Sequence, residues 1–173
     1  MKKFLLNLKA SLISKKSNLA EQVAKILVRN ALKISTAESC TGGLVSSRLT
    51  DIAGSSSYIT ANFVTYSNEA KNKFLNVSDE TLLKYGAVSK ECAAEMALGL
   101  STLTGCDIAI CTTGVAGPSA DEGKPVGLMY IACRYNDKTT VKEIKLNSDY
   151  NRKNMKFLFS EEALKLVLET ISE

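Results

Sequence analysis

The chain contains no histidine at all. That absence removes Ser-His-Asp and Cys-His catalysis, and with them the hydrolases that depend on imidazole to hold a metal. Acid-base chemistry in this sequence must be carried by a carboxylate, a cysteine, a tyrosine or a lysine of shifted pKa. An excess of one charge sign is missing too: 22 Lys and Arg against 18 Asp and Glu leave a formal +4. So mild and scattered a balance is no electrostatic footprint for nucleic acid. The five cysteines, Cys40, Cys92, Cys106, Cys111 and Cys133, are odd in number and lack C-x-x-C spacing, which argues against a disulfide framework and a zinc site. Reduced thiols and a cytoplasmic location are the simplest expectation. Long apolar runs are also lacking, so no membrane association is expected. In "MKKFLLNLKASLISKK", Lys9 interrupts the only early candidate. Residues 1–16 are expected instead to form an amphipathic helical extension lying on the domain or on a partner, and to offer a contact between copies of the chain.

What is present is enough for one domain. A length of 173 residues, 45% of them hydrophobic, supports a single core over residues 17–173. "NLAEQVAKILVRNAL" has the spacing of one helical face, "KISTA" reads as a short buried strand, and "GGLVSSRLTDIAG" as a helix ending near Gly54. "SYITANFVTYS" is a strand, followed by a helix that Ser67 or Asn68 can cap. Ser78 and Ser89 open two further helices. "CDIAICTTG" is almost continuously apolar and belongs in the middle of a sheet; "VGLMYIACRY" follows it, and "TTVKEIKLN" alternates like an edge strand. Residues 152–171 close the chain as a helix. Strands alternating with helices predict an α/β fold, a three-layer α/β/α arrangement around a mixed, mostly parallel sheet.

The junction "STAESCTGG", residues 35–43, places Ser39 between a strand and a helix. A serine in such a turn can face an electrophile while neighbouring amides await negative charge, and Thr41, Gly42 and Gly43 permit close approach of a ligand to the backbone. The same residues also suit a plain N-cap. Without histidine, the base for Ser39 falls to Lys71 in "VTYSNEAK", since a desolvated lysine can lose its proton near neutral pH; Tyr66 could orient the amine or relay the proton. Cys40 competes as nucleophile but has no histidine partner, and its backbone amide is the more useful group. A further loop, "CTTGVAGP", leaves the central strand through Thr113, Gly114 and Gly117, where sheet ligands usually sit.

Six segments in fixed order, "TAESCTGG", "DIAGSS", "VTYSNEAK", "GAVS", "TGVAGP" and "KPVG", resemble the CinA C-terminal domain family, over roughly residues 17–172. Stand-alone members of that family include bacterial nicotinamide-nucleotide amidohydrolases. The resemblance implies hydrolysis of the carboxamide of nicotinamide mononucleotide to nicotinic acid mononucleotide and ammonia, with Ser39 as nucleophile and Lys71 and Tyr66 beside it. It implies a small-molecule partner, a pyridine mononucleotide, and no cofactor or metal. Many members carry two arginines four residues apart in the last strand-to-helix turn, suited to phosphate. In "YNRKNMK" this chain keeps Arg152 but puts Lys156 second, losing a bidentate fork. The loop "SADEG" is shorter and poorer in glycine than is usual in the family. A different class stays open beside the enzyme: a non-catalytic interaction module of the CinA type, linked with competence and recombination.

Overall fold

The computed structural model describes residues 1–172. Helix α1 (Lys2–Lys16) is followed by α2 (Leu19–Arg29), β1 (Ile34–Glu38), α3 (Leu44–Thr50), β2 (Ile59–Val64), α4 (Asn68–Leu75), α5 (Asp79–Tyr85), α6 (Lys90–Thr104), β3 (Ile108–Gly114), β4 (Leu128–Tyr135), β5 (Lys138–Lys145) and α7 (Arg152–Ile171). The sheet order is β2-β1-β3-β4-β5. β1 pairs in parallel with both β2 and β3, whereas β4 is antiparallel to β3 and to β5. Four strands therefore point one way and only β4 runs against them, and the apolar β3 is central as its composition requires.

Side chains of β3 alternate between two cores, as the pleat dictates. Ile108 and Ile110 join Val23, Leu27, Leu49, Phe159 and Val167 under α2, α3 and α7. Ala109 and Cys111 join Leu75, Met96 and Leu100 under α4 and α6. Helices thus cover both faces, giving the three layers. The fit of α4 on α6 depends on Gly99, where a Cβ would stand 1.7 Å from the Leu75 carbonyl oxygen. No side chain larger than hydrogen can occupy that crossing.

Helix boundaries follow local chemistry. Ser67, Ser78 and Ser89 each cap a helix, their hydroxyls accepting from the amides of Ala70, Thr81 and Cys92. α3 is shorter than its sequence suggests. It stops at Thr50 rather than near Gly54, because Gly54 takes a left-handed conformation and opens a single 3-10 turn over Ser55–Ser57. α1 lies on α7. The Asn7 side-chain oxygen accepts from the Asn151 and Asn154 nitrogens, and Ala10 is fully buried. Phe4, Leu5, Leu8 and Leu12 nevertheless remain exposed. Among the described residues no helix is long and apolar enough to cross a membrane. All five cysteines are free and buried.

Candidate active site

The chain passes from β1 to β2 on one side of β1, then returns to β3 on its other side. Ligands of α/β sheets collect at such a reversal, beyond the carboxyl ends of the strands. Ser39 follows β1 there, and its amide donates to the Thr112 carbonyl at 2.9 Å, tying the Ser39 turn to the end of β3.

Lys71 sits in the first half of α4 and is 1% exposed despite a polar local sequence, "SNEAKNK". Its Nζ lies 3.4 Å from Ser39 Oγ, 3.2 Å from the Thr65 carbonyl oxygen and 3.4 Å from the Tyr66 carbonyl oxygen. Three oxygens thus surround the amine: two carbonyls accept from it, and the Ser39 hydroxyl completes the set. Burial pushes the Lys71 ammonium below its ordinary pKa, opposed more weakly by nearby Glu122 and Asp121. The surface lysine that its polar neighbours suggest is thus the most buried cation of the site.

Glu38, which sequence reasoning passed over, organises the turn. Its carboxylate is 1% exposed and accepts from the Val45 amide at 3.0 Å and the Ser46 amide at 2.7 Å. The first-turn amides of α3 are therefore occupied by this internal cap and do not wait for substrate. The Cys40 and Thr41 amides lie earlier in the turn, outside this cap. The Gly42 amide donates back to the Ser39 carbonyl at 3.1 Å and closes the turn. Gly42 is left-handed at φ +60°, and a Cβ there would meet Lys156 Nζ at 3.0 Å, so the glycine lets that amine settle onto the Ser39 turn. Gly43 caps α3 in the same conformation.

The remaining predicted residues separate by role. The Cys40 thiol faces the core beside Thr112, and burial raises its pKa to about 12, which disqualifies it as a nucleophile. Thr41 is fully buried, its hydroxyl paired with that of Thr112 at 2.7 Å. Thr113 donates to the Ala87 carbonyl at 2.7 Å. Both hydroxyls are held by protein partners, and both threonines fasten the floor of the site. Tyr66 contacts the Lys71 amine through its backbone carbonyl, while its phenol, on a residue 60% exposed, accepts from Arg152 Nη2 at 2.9 Å. Arg152 Nη1 donates to the Gly117 carbonyl at 2.5 Å. Ser39, Cys40, Tyr66, Gly114, Gly117 and Arg152 line one cavity of about 300 Å³, at the lower end of ligand-sized pockets. Lys156 lines an adjoining cleft. Over the cavity runs the loop 119–124, pinned where Glu122 accepts from the Ala87 amide at 2.9 Å.

Fold and site together define a class: three-layer α/β domains that set a serine hydroxyl against a buried amine where the strand order reverses. Within that class, the chain belongs to the CinA C-terminal domain family, whose model matches residues 16–171. A CinA-like protein from Kosmotoga olearia is 48% identical over 136 residues, covering 78% of this chain and 33% of that protein. A CinA-like protein from Chloroherpeton thalassium is 48% identical over 157 residues, 89% of this chain and 37% of that protein. The chain thus spans about a third of the length of these relatives. Among solved structures, the competence damage-inducible protein A from Klebsiella pneumoniae is similar with a TM-score of 0.86 and 33% identity, over 90% of this chain and 96% of that one. The competence/damage inducible protein CihA from Agrobacterium tumefaciens has a TM-score of 0.83 and 37% identity, over 87% and 92%.

Proposed function

We propose that this domain hydrolyses the carboxamide of nicotinamide mononucleotide, giving nicotinic acid mononucleotide and ammonia. The observation that carries the reading is the Lys71 amine: buried, held by two carbonyls, and 3.4 Å from Ser39 Oγ. A histidine-free amidase needs such a base, and the family's amidohydrolase members supply the substrate class.

In the acylation step, the Ser39 hydroxyl transfers its proton to the Lys71 lone pair as Oγ bonds to the carboxamide carbon. The carbonyl oxygen becomes an oxyanion held by the Cys40 and Thr41 amides. The C–N bond breaks as the Lys71 ammonium returns its proton to nitrogen, and ammonia departs, leaving an acyl ester on Ser39. Water then gives a proton to Lys71 and its oxygen to the acyl carbon; Ser39 leaves as the hydroxyl, taking the proton back. Each turnover consumes one amide and one water and regenerates both side chains. Tyr66 and Arg152 act at the mouth, where the guanidinium offers charge to the substrate phosphate.

Ammonia release from nicotinamide mononucleotide, measured for the wild type and for Ser39→Ala, tests the reading. Release is expected from the wild type, with a drop on the order of 10⁴-fold or more in the variant. Equal inertness of both proteins toward this and related pyridine amides would overturn it.

A further inference from the structure

A second cleft, about 640 Å³, opens between α1 and α7 and shares Arg152 with the catalytic cavity. Lys15, Lys153 and Lys156 stand on its walls with Arg152, and its lining contains no acidic residue. Among the described residues none of these three lysines has a carboxylate partner. The first carboxylate along α7, Glu161, is already engaged by Arg48 and by the Ser17 hydroxyl. Four cations on one cleft repel each other, and a bound anion relieves that repulsion. Ser11 and Ser14 add hydroxyl donors on the α1 side, while Leu44 and Phe157 give the cleft an apolar floor.

Position strengthens the case. Lys15 belongs to α1, which but for its last residue lies outside the stretch matched by the family model, residues 16–171. α1 is nonetheless fixed in place: Asn154 donates to the Asn7 backbone and side-chain oxygens at 3.0 and 2.9 Å, and the Asn7 side chain donates to the Asp149 carbonyl at 3.2 Å. A segment added to the domain thus places a cation beside the Arg152 and Lys156 pair.

We propose that this cleft is a second anion subsite that takes a pyrophosphate group lying beyond the catalytic cavity, with Lys15 and Lys153 as its recognition residues. One phosphate meets Arg152 and Lys156, and the next meets Lys15 and Lys153. A pyridine dinucleotide and a free polyphosphorylated effector both present this chemistry. The assignment of the first cavity as catalytic rests on the proposed function; the anion subsite does not.

Titration calorimetry of the full chain with inorganic pyrophosphate and with orthophosphate tests the subsite without requiring turnover. Pyrophosphate is expected to bind about tenfold more tightly than orthophosphate. Lys15→Gln combined with Lys153→Gln is expected to abolish that advantage while leaving orthophosphate binding within about twofold, both side chains being exposed and free to change without disturbing the core. Equal affinities for the two anions, or an advantage that survives the double substitution, overturns the proposal. Ammonia release then identifies the source. Loss of turnover of a pyridine dinucleotide, but not of the mononucleotide, in the double variant assigns the pyrophosphate to substrate. Modulation of mononucleotide turnover by added pyrophosphate assigns it to an effector. Absence of turnover with every substrate would sink the amidase reading and leave the calorimetric result standing.

Discussion

Two lysines approach the Ser39 turn from opposite sides, and their surroundings give them opposite work. Lys71 is buried in α4, its amine enclosed by the Thr65 and Tyr66 carbonyls. Lys156 comes from α7, half exposed, with its amine over the Cα of Gly42 and open to a cleft of other cations. Desolvation penalises the charged form of the first, as the proposed base requires; the second stands among positive neighbours, as the proposed anion contact requires. Residue type alone decides neither role. The packing of each helix against the turn does.

One substitution made at both positions sharpens this contrast most. Lys71→Arg should lower kcat by on the order of 10²–10⁴-fold, as should Lys71→Met, because a guanidinium cannot give up its proton to become a base. Lys156→Arg should instead lower KM a few-fold by offering a phosphate two parallel donors. Retained activity in Lys71→Arg would break the comparison. Next in size is Lys156→Met, which should raise KM about tenfold with kcat nearly unchanged, measured by ammonia release across substrate concentrations.

The lowered pKa of Lys71 makes two further distinctions. kcat/KM should rise with pH as Lys71 loses its proton, at a pKa below its ordinary 10.5. The unfolded chain binds that proton more readily than the native one between the lowered pKa and 10.5. Stability therefore increases with pH across that window and falls away as the pH drops toward the native pKa. Lys71→Met should flatten the dependence and raise Tm, by about 2–4 °C for each kcal/mol recovered, whereas Lys156→Met should leave Tm in place. A Tm that falls in Lys71→Met would show that the amine's hydrogen bonds outweigh its burial cost. The turn itself is tested by stability: Glu38→Gln keeps one acceptor for two amides and should cost about 1–3 kcal/mol in denaturant unfolding.

Much of the architecture could be read from the chain because its strands and helices obey simple periods. The central place of β3 follows from an apolar run flanked by turn residues, and serine caps mark three helices. The Ser39 and Lys71 pair was legible for a different reason: without histidine few bases remain, and the family resemblance singled out one of them. Tertiary partners were not legible. Thr113 donates to Ala87, 26 residues earlier, so its hydroxyl looked free in a linear reading. Tyr66 lies five residues before Lys71, yet its phenol turns to Arg152, 86 residues away. Glu38 did carry a signal, an acid just before a glycine turn and a helix start, but a carboxylate at the end of a buried strand reads first as a strand residue. Asn7, which moors α1, is one polar residue in a helix whose remaining pattern speaks of lysine and leucine.

The grip on Lys71 is short-range: Thr65, Tyr66 and Lys71 lie within seven consecutive residues, all on one strand-to-helix step. The serine arrives separately, through the alignment of Glu38 with Val64 across neighbouring strands. Sliding β2 by one residue would turn its half-buried side chains outward and carry the amine a full residue length out of reach of the hydroxyl. Correct strand registration during folding is thus also the event that brings Ser39 and Lys71 together, and on the proposed mechanism chains caught in a shifted pairing would be chemically silent however compact they were.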